Sequence, residues 1–135
     1  MSETSSELVV NEPRQITYSS MATVTVNDRK RVYNALSTSL TIGDYLNEEL
    51  AVVDIIAGEV ELVNKETGEV DIATRTVLVL DDGTAIAATS GVLYSRLMQI
   101  TAIFGDPTTW EEPLTMIIKQ QNIANGRRIY IPVLV

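Results

Sequence analysis

The 135-residue chain has no cysteine, no histidine, one tryptophan and one phenylalanine, and only ten Lys and Arg against 18 Asp and Glu. Each shortage excludes something. Without Cys there is no disulfide framework, no cysteine zinc site and no thiol nucleophile. Without His the commonest general base and the commonest transition-metal ligand are missing, and a Ser–His–Asp arrangement is impossible. No apolar run approaches the ~18 residues of a membrane helix. The acidic start MSETSSELVVNEP lacks the basic and apolar segments of a signal peptide. Neither a GxGxxG nor a P-loop pattern occurs, so no phosphate cradle of the usual kind is encoded. Two carboxylate pairs remain. Asp81/Asp82 belongs to a turn, where Asp is expected for backbone reasons. Glu111/Glu112 suits a hard cation, but nothing else marks such a site. The expectation is a soluble, cytoplasmic, non-enzymatic protein with no cofactor and no metal.

What is present is a chain that can bury a core, with 45% apolar residues, and a charge that is unevenly spread. Residues 44–71 hold nine acids (Asp44, Glu48, Glu49, Asp54, Glu59, Glu61, Glu66, Glu69 and Asp71) and one base, Lys65. From Pro113 to Val135 there is no acid, but Lys119, Arg127 and Arg128 occur, and Arg29, Lys30 and Arg31 form a second basic run. A net charge of −8 therefore does not forbid a basic face, because local potential governs binding.

Periodicity divides the chain into three parts. Residues 1–13, dominated by Ser, Thr and Glu, read as a disordered acidic tail. Residues 14–47 read as a strand–helix extension: RQITYSSMATVTV (14–26) alternates, and NDRKRVYNALSTS (27–39) is a helix with Asn27 or Asp28 as cap and Val32 and Leu36 on one face. Tyr33 and Tyr45 are expected to pack this extension onto the remainder. Residues 48–135 read as a barrel. LAVVDIIAGEVELVN (50–64) is a long strand whose Gly58 marks a bulge or coil, and EVDIATRTVLVL (69–80) returns after NKETGE. DDG leads to a short third strand, TAIAATS. Leu93, Leu97, Ile100 and Phe104 then recur at helical spacing, between a Ser90 cap and a Gly105 stop. LTMIIKQQNIA and RRIYIPVLV flank an NG hairpin signal, with Pro132 placing the last strand at an edge. Three strands, a helix and two strands is the order of an OB-fold, a five-stranded Greek-key barrel with a helix between strands three and four.

Within that scheme the candidate contacts suit single-stranded nucleic acid, whose phosphates need cations and whose unpaired bases stack on rings or guanidinium planes. Alternation puts Arg128 and Tyr130 on one face of the last strand. Lys119 lies opposite Met116 and Ile118, and Arg75 lies opposite Ile72, Leu78 and Leu80. Three neighbouring strands are thus expected to offer cations on one solvent face, although water-facing strands carry such residues in any case. Arg127 and Lys65 complete the candidate set. Trp110, in FGDPTTWEEP, is either a plug for the barrel end or a stacking platform. Phe104, ending the helical stripe, is expected in the core.

The segments RTVLVLDDGTAIAATSGV, IFGDPTTWEEPLTMIIKQQ and NGRRIYI, preceded by YSS…DRKRVYNAL and VVDII…VELVNKETGEV, resemble the small single-stranded-DNA-binding proteins of phages and conjugative plasmids of Gram-positive bacteria. The likeness covers nearly the whole chain after about residue 14. It implies an OB-fold that coats single-stranded DNA with little sequence preference during replication or transfer, and it is compatible with self-association along the strand. The acidic tail, with Glu3, Glu7 and Glu12, would then compete with DNA or recruit replication proteins. The contrasting reading is a small β-barrel virion or assembly protein.

Overall fold

The computed structural model describes residues 8–10, 15–38, 40–126 and 128–135. In chain order it contains β1 (Leu8–Val10), β2 (Gln15–Ser19), α1 (Val26–Thr38), β3 (Leu40–Thr41), β4 (Glu49–Asn64), β5 (Val70–Leu80), β6 (Ala85–Thr89), α2 (Gly91–Phe104), β7 (Leu114–Asn122) and β8 (Arg128–Leu134). Short 3₁₀ turns occupy Ile42–Tyr45, Pro107–Thr109 and Ala124–Gly126. The protein is mainly β, and the eight strands among the described residues belong to one sheet.

β4 organises that sheet because its two edges are used differently. β5 takes one edge, antiparallel, from Val52↔Leu80 to Val63↔Val70. The other edge is taken in turn by β7 at Glu49–Val52, β2 at Ile56–Glu59 and β1 at Leu62–Asn64. The full path is β3-β6-β5-β4-β7-β8. Leu8–Val10 thus corrects part of the expected disordered tail: three of its residues are a strand. Residues 1–7 and 11–13 lie outside the described residues.

Sheet turns follow local chemistry. At the β4–β5 turn, Asn64 Oδ1 accepts from the backbone N–H of Glu66 and Thr67, and Gly68 adopts φ 75°. At the β5–β6 turn, Asp82 Oδ1 accepts from Thr84 N–H and Gly83 adopts φ 91°. These left-handed values favour glycine because they crowd a Cβ. The NG hairpin signal is realised differently. β7 ends at Asn122 and β8 begins at Arg128 with a 3₁₀ turn at Ala124–Gly126 between them, so the connection is not a two-residue turn.

The irregularity expected at Gly58 falls on its β2 side and not on its β5 side. Gly58 keeps register with Arg75, whereas the β4–β5 ladder slips between Val52 and Asp54. A second slip falls on β2 between Ile16 and Tyr18, opposite Gly58 and Ala57.

Both faces of the sheet are covered at its centre. Ile55 and Ile56, adjacent and therefore pointing oppositely, are both fully buried. Ile55 joins the inner core with Leu50, Val52, Leu78, Ile86, Met116 and Ile118, closed by Leu93, Leu97 and Ile100 of α2. Ile56 joins a smaller outer core with Val77 and Ala87, closed by Val32 and Leu36 of α1.

Each helix has its own caps. Ser90 Oγ accepts from Leu93 N–H, and Gly105 N–H bonds back to Thr101 O. At α1 the cap is Thr25 rather than Asn27 or Asp28. Thr25 Oγ1 accepts from Asp28 N–H while the Asp28 carboxylate accepts from Thr25 N–H, a reciprocal capping box.

The hydrogen-bonded ladder is open between β6 and β8. β3 pairs with the free edge of β6 in parallel, and the chain then crosses to β7, where Asn47 N–H bonds Ile118 O. Ile42, on this crossing, is fully buried in the inner core. β8 is the terminal strand of the path, as its proline requires. Since Ile118 O points to Asn47, the opposing pair Ile118↔Pro132 does not share a ladder hydrogen bond, and the missing proline N–H faces the free edge.

Candidate nucleic-acid interface

The sheet register decides which candidate residues meet. Residues directly opposite in an antiparallel pair share a face. Arg128 lies opposite Asn122 and Tyr130 opposite Gln120, on the inner face with Ile118 and Met116. Lys119 lies opposite Ile131, on the other side. Arg75 follows Val77 onto the outer face. The expected single face with a cation from each of three strands is therefore not assembled.

The distal part of the β7–β8 hairpin projects beyond β4, whose pairing with β7 stops at Ile117. On its inner face stand Gln120, Asn122, exposed Arg128 and half-buried Tyr130. Tyr130 packs against the inner core, and its hydroxyl lies against Gly43, where a Cβ would come to 3.5 Å. An amide pair, a guanidinium and a ring edge thus converge where the crossing segment meets the hairpin. Arg127 lies outside the described residues.

Arg75 is held rather than offered. Its Nε donates to Leu36 O at 3.1 Å, at the C-terminal turn of α1, and burial pushes its pKa down. A cation at a helix C-terminus satisfies an orphan carbonyl and complements the dipole. Lys65 sits at the exposed β4–β5 turn, with Glu66, Glu69 and Asp71 nearby in sequence and also exposed. Phosphate would meet mostly like charge there.

Trp110 is seated. Its Nε1–H donates to Gly105 O at 2.9 Å and its ring packs against the inner core. Its remaining surface borders a shallow hollow with Val53, Pro107, Glu111, Glu112 and Pro113. Beside it, the Tyr18 hydroxyl donates to the Asp106 carboxylate, and burial together with that bond pushes the phenol pKa up. Phe104 corrects an expectation. It is 47% exposed, and the buried stripe of α2 ends at Ile100.

A second aromatic was misjudged from the sequence. Tyr33, expected to pack the extension, is 58% exposed on α1. The signal was available: with Val32 and Leu36 inward, a 3.6-residue period turns Lys30 and Tyr33 outward. Among the described residues no group of acidic residues could hold a metal ion, and no helix is long and apolar enough to cross a membrane.

The family model for phage single-stranded DNA-binding proteins, phi29 type, matches residues 11–131. The chain belongs to the phage single-stranded DNA-binding protein family. No curated protein and no solved structure shows a significant match to it. Family membership makes single-stranded DNA its partner and binding, a non-catalytic activity, its function.

Proposed function

We propose that the protein coats single-stranded DNA with little sequence preference during replication or transfer of a phage or plasmid genome, in the cytoplasm of a bacterial host. The family match over residues 11–131 carries this reading. The strand succession β4, β5, β6, α2, β7, β8 supports an OB-fold whose β6–β8 seam is bridged by the crossing segment instead of by a strand pair.

OB-folds bind oligonucleotides on the face of strands two and three and on the loops after strands one and four. Here the outer face of β5 and β6 is covered by α1, which shifts contact toward the β7–β8 hairpin. Arg128, with Arg127 beside it in sequence, supplies charge for phosphates. Asn122 and Gln120 offer amide hydrogen bonds, and Tyr130 offers a ring. Lys119, Lys65, Arg75 and Trp110 are peripheral in this reading, for the geometric reasons above. Contacts to phosphates and ring faces do not read base edges, and only the two amides can, so sequence preference is weak. Self-association along the strand, and recruitment of replication proteins by Glu3, Glu7 and Glu12, belong to the same proposal.

The test is titration of oligo-dT at several salt concentrations. Log affinity should fall with log salt with a slope of about −0.7 per phosphate neutralised. A flat slope, or tighter binding to duplex than to single strand, overturns the reading.

A further inference from the structure

α1 carries a chemistry that the hairpin does not explain. Residues 26–38 contain Arg29, Lys30 and Arg31 against one acid, Asp28, in a chain of net charge −8. All three cations are exposed. Asp28 is occupied by the capping box, and its hydrogen bonds to Thr25 hold its pKa down. It partly offsets Arg31, which it feels electrostatically, but leaves Lys30 to the solvent side. Arg29 is committed to the fold, its Nε donating to Thr23 O at 3.0 Å. Tyr33 lies one turn beyond Arg29 and Lys30 and is more exposed than any other tyrosine described. A tyrosine kept in water next to cations on a helix that buries only Val32 and Leu36 contributes little to the core.

A groove of about 580 Å³ opens on the flank of α1 that carries Arg31, Asn34 and Ala35, away from Tyr33. Its floor is Met21, Ala35, Leu40, Val79 and Ala85, and Arg31 and Asn34 stand on the α1 wall. The far wall is the β5–β6 turn at Gly83 and Thr84, next to Asp81 and Asp82. Two carboxylates next in sequence to the far wall make it the less favourable side for phosphate, while the apolar floor suits the flat face of a base. The platform is rigidly held. Val32 and Leu36 anchor it to the sheet, and Arg75 grips its C-terminal turn. Position also favours it. Thr38 and Gly43, against which the Tyr130 hydroxyl lies, are five residues apart, at most about 18 Å of extended chain. Leu40, on that path, is exposed.

We propose that the exposed circumference of α1, with Lys30 outermost, Arg31 on one flank and Tyr33 on the other, is a second contact for the same single strand, continuing the track from the β7–β8 hairpin across the helix with a base stacked on Tyr33. The inference rests on the single-strand reading above. It is tested with oligo-dT long enough to span both contacts, using the full chain. Lys30→Ala with Arg31→Ala should flatten the salt slope by about 1.4, the loss of two phosphate contacts on a single strand. Tyr33→Ala should weaken binding at least about fivefold, the lower range for one stacked base. The indole introduced by Tyr33→Trp should be quenched by the oligonucleotide, relative to the unaltered protein with Trp110 alone. Arg96→Ala, on the exposed side of α2, serves as a charge control and should change nothing. Wild-type slope and affinity in folded α1 variants, with no added quenching, overturn the α1 contact while leaving the hairpin reading intact. An unaltered protein that binds no oligo-dT overturns both.

Discussion

The two helices are nearly equal in length, 13 and 14 residues, yet they serve opposite sides of one sheet. α2 closes the inner core with three buried residues and ends at a glycine. α1 lies on the outer face, buries two, and turns cations and a tyrosine to water. The difference teaches that apolar width, not length, decides a helix's place. A stripe of Leu93, Leu97 and Ile100 spans two turns and needs a core on which to close. A pair, Val32 and Leu36, is enough to dock a helix and leaves most of its circumference for other contacts.

Core truncations give the largest effects and the sharpest test of this contrast. Leu97→Ala should destabilise by about 4 kcal/mol and Leu36→Ala by about 2 kcal/mol, within the usual range for buried leucines. Urea unfolding measures both, and equal losses would erase the distinction between a sealing and a docked helix. Next in size is Arg75→Gln. It strips the grip on Leu36 O and should cost about 1–3 kcal/mol through a buried carbonyl left unpaired. A matching loss of DNA affinity in a folded Arg75→Gln protein, beyond that of Arg96→Ala, would show that Arg75 reaches DNA as well. Ser90→Ala removes the α2 cap and should cost about 1 kcal/mol in thermal or urea melts.

The last effect is a pH dependence that shows only at the alkaline end. The folded protein holds the Tyr18 proton more tightly than the unfolded chain, whose phenol titrates near pH 10. That contribution is whole below about pH 10 and is lost as pH rises above it. Tyr18→Phe should therefore flatten the alkaline end of the stability profile. An unchanged profile would show that the bond to Asp106, in the loop after α2, contributes nothing there.

Much of the architecture was legible in residues. Alternation found β4, β5, β7 and β8, and the change of period found α2 with both its caps. Trp110 was less so. Its polar neighbours suggested a binding handle, while the bond from its indole to Gly105 O depends on how the loop returns under α2. Phe104 continued a valid stripe, but the helix leaves the core after Ile100, and no local pattern says where a core ends.

By itself the sequence determined the succession of the longer elements, though not β1 or β3, because hydrogen-bonding period and turn chemistry are local properties of the chain. It determined within each strand which residues share a side, so Arg128 with Tyr130 was readable. Only the tertiary structure decided which side each strand shows its neighbours. Register between strands depends on bulges and loop lengths, and a one-residue slip exchanges faces. The slip at Val53, the long β7–β8 connection and the docking of α1 over Val77 separate Lys119 and Arg75 from Arg128, and they leave Tyr33 facing water.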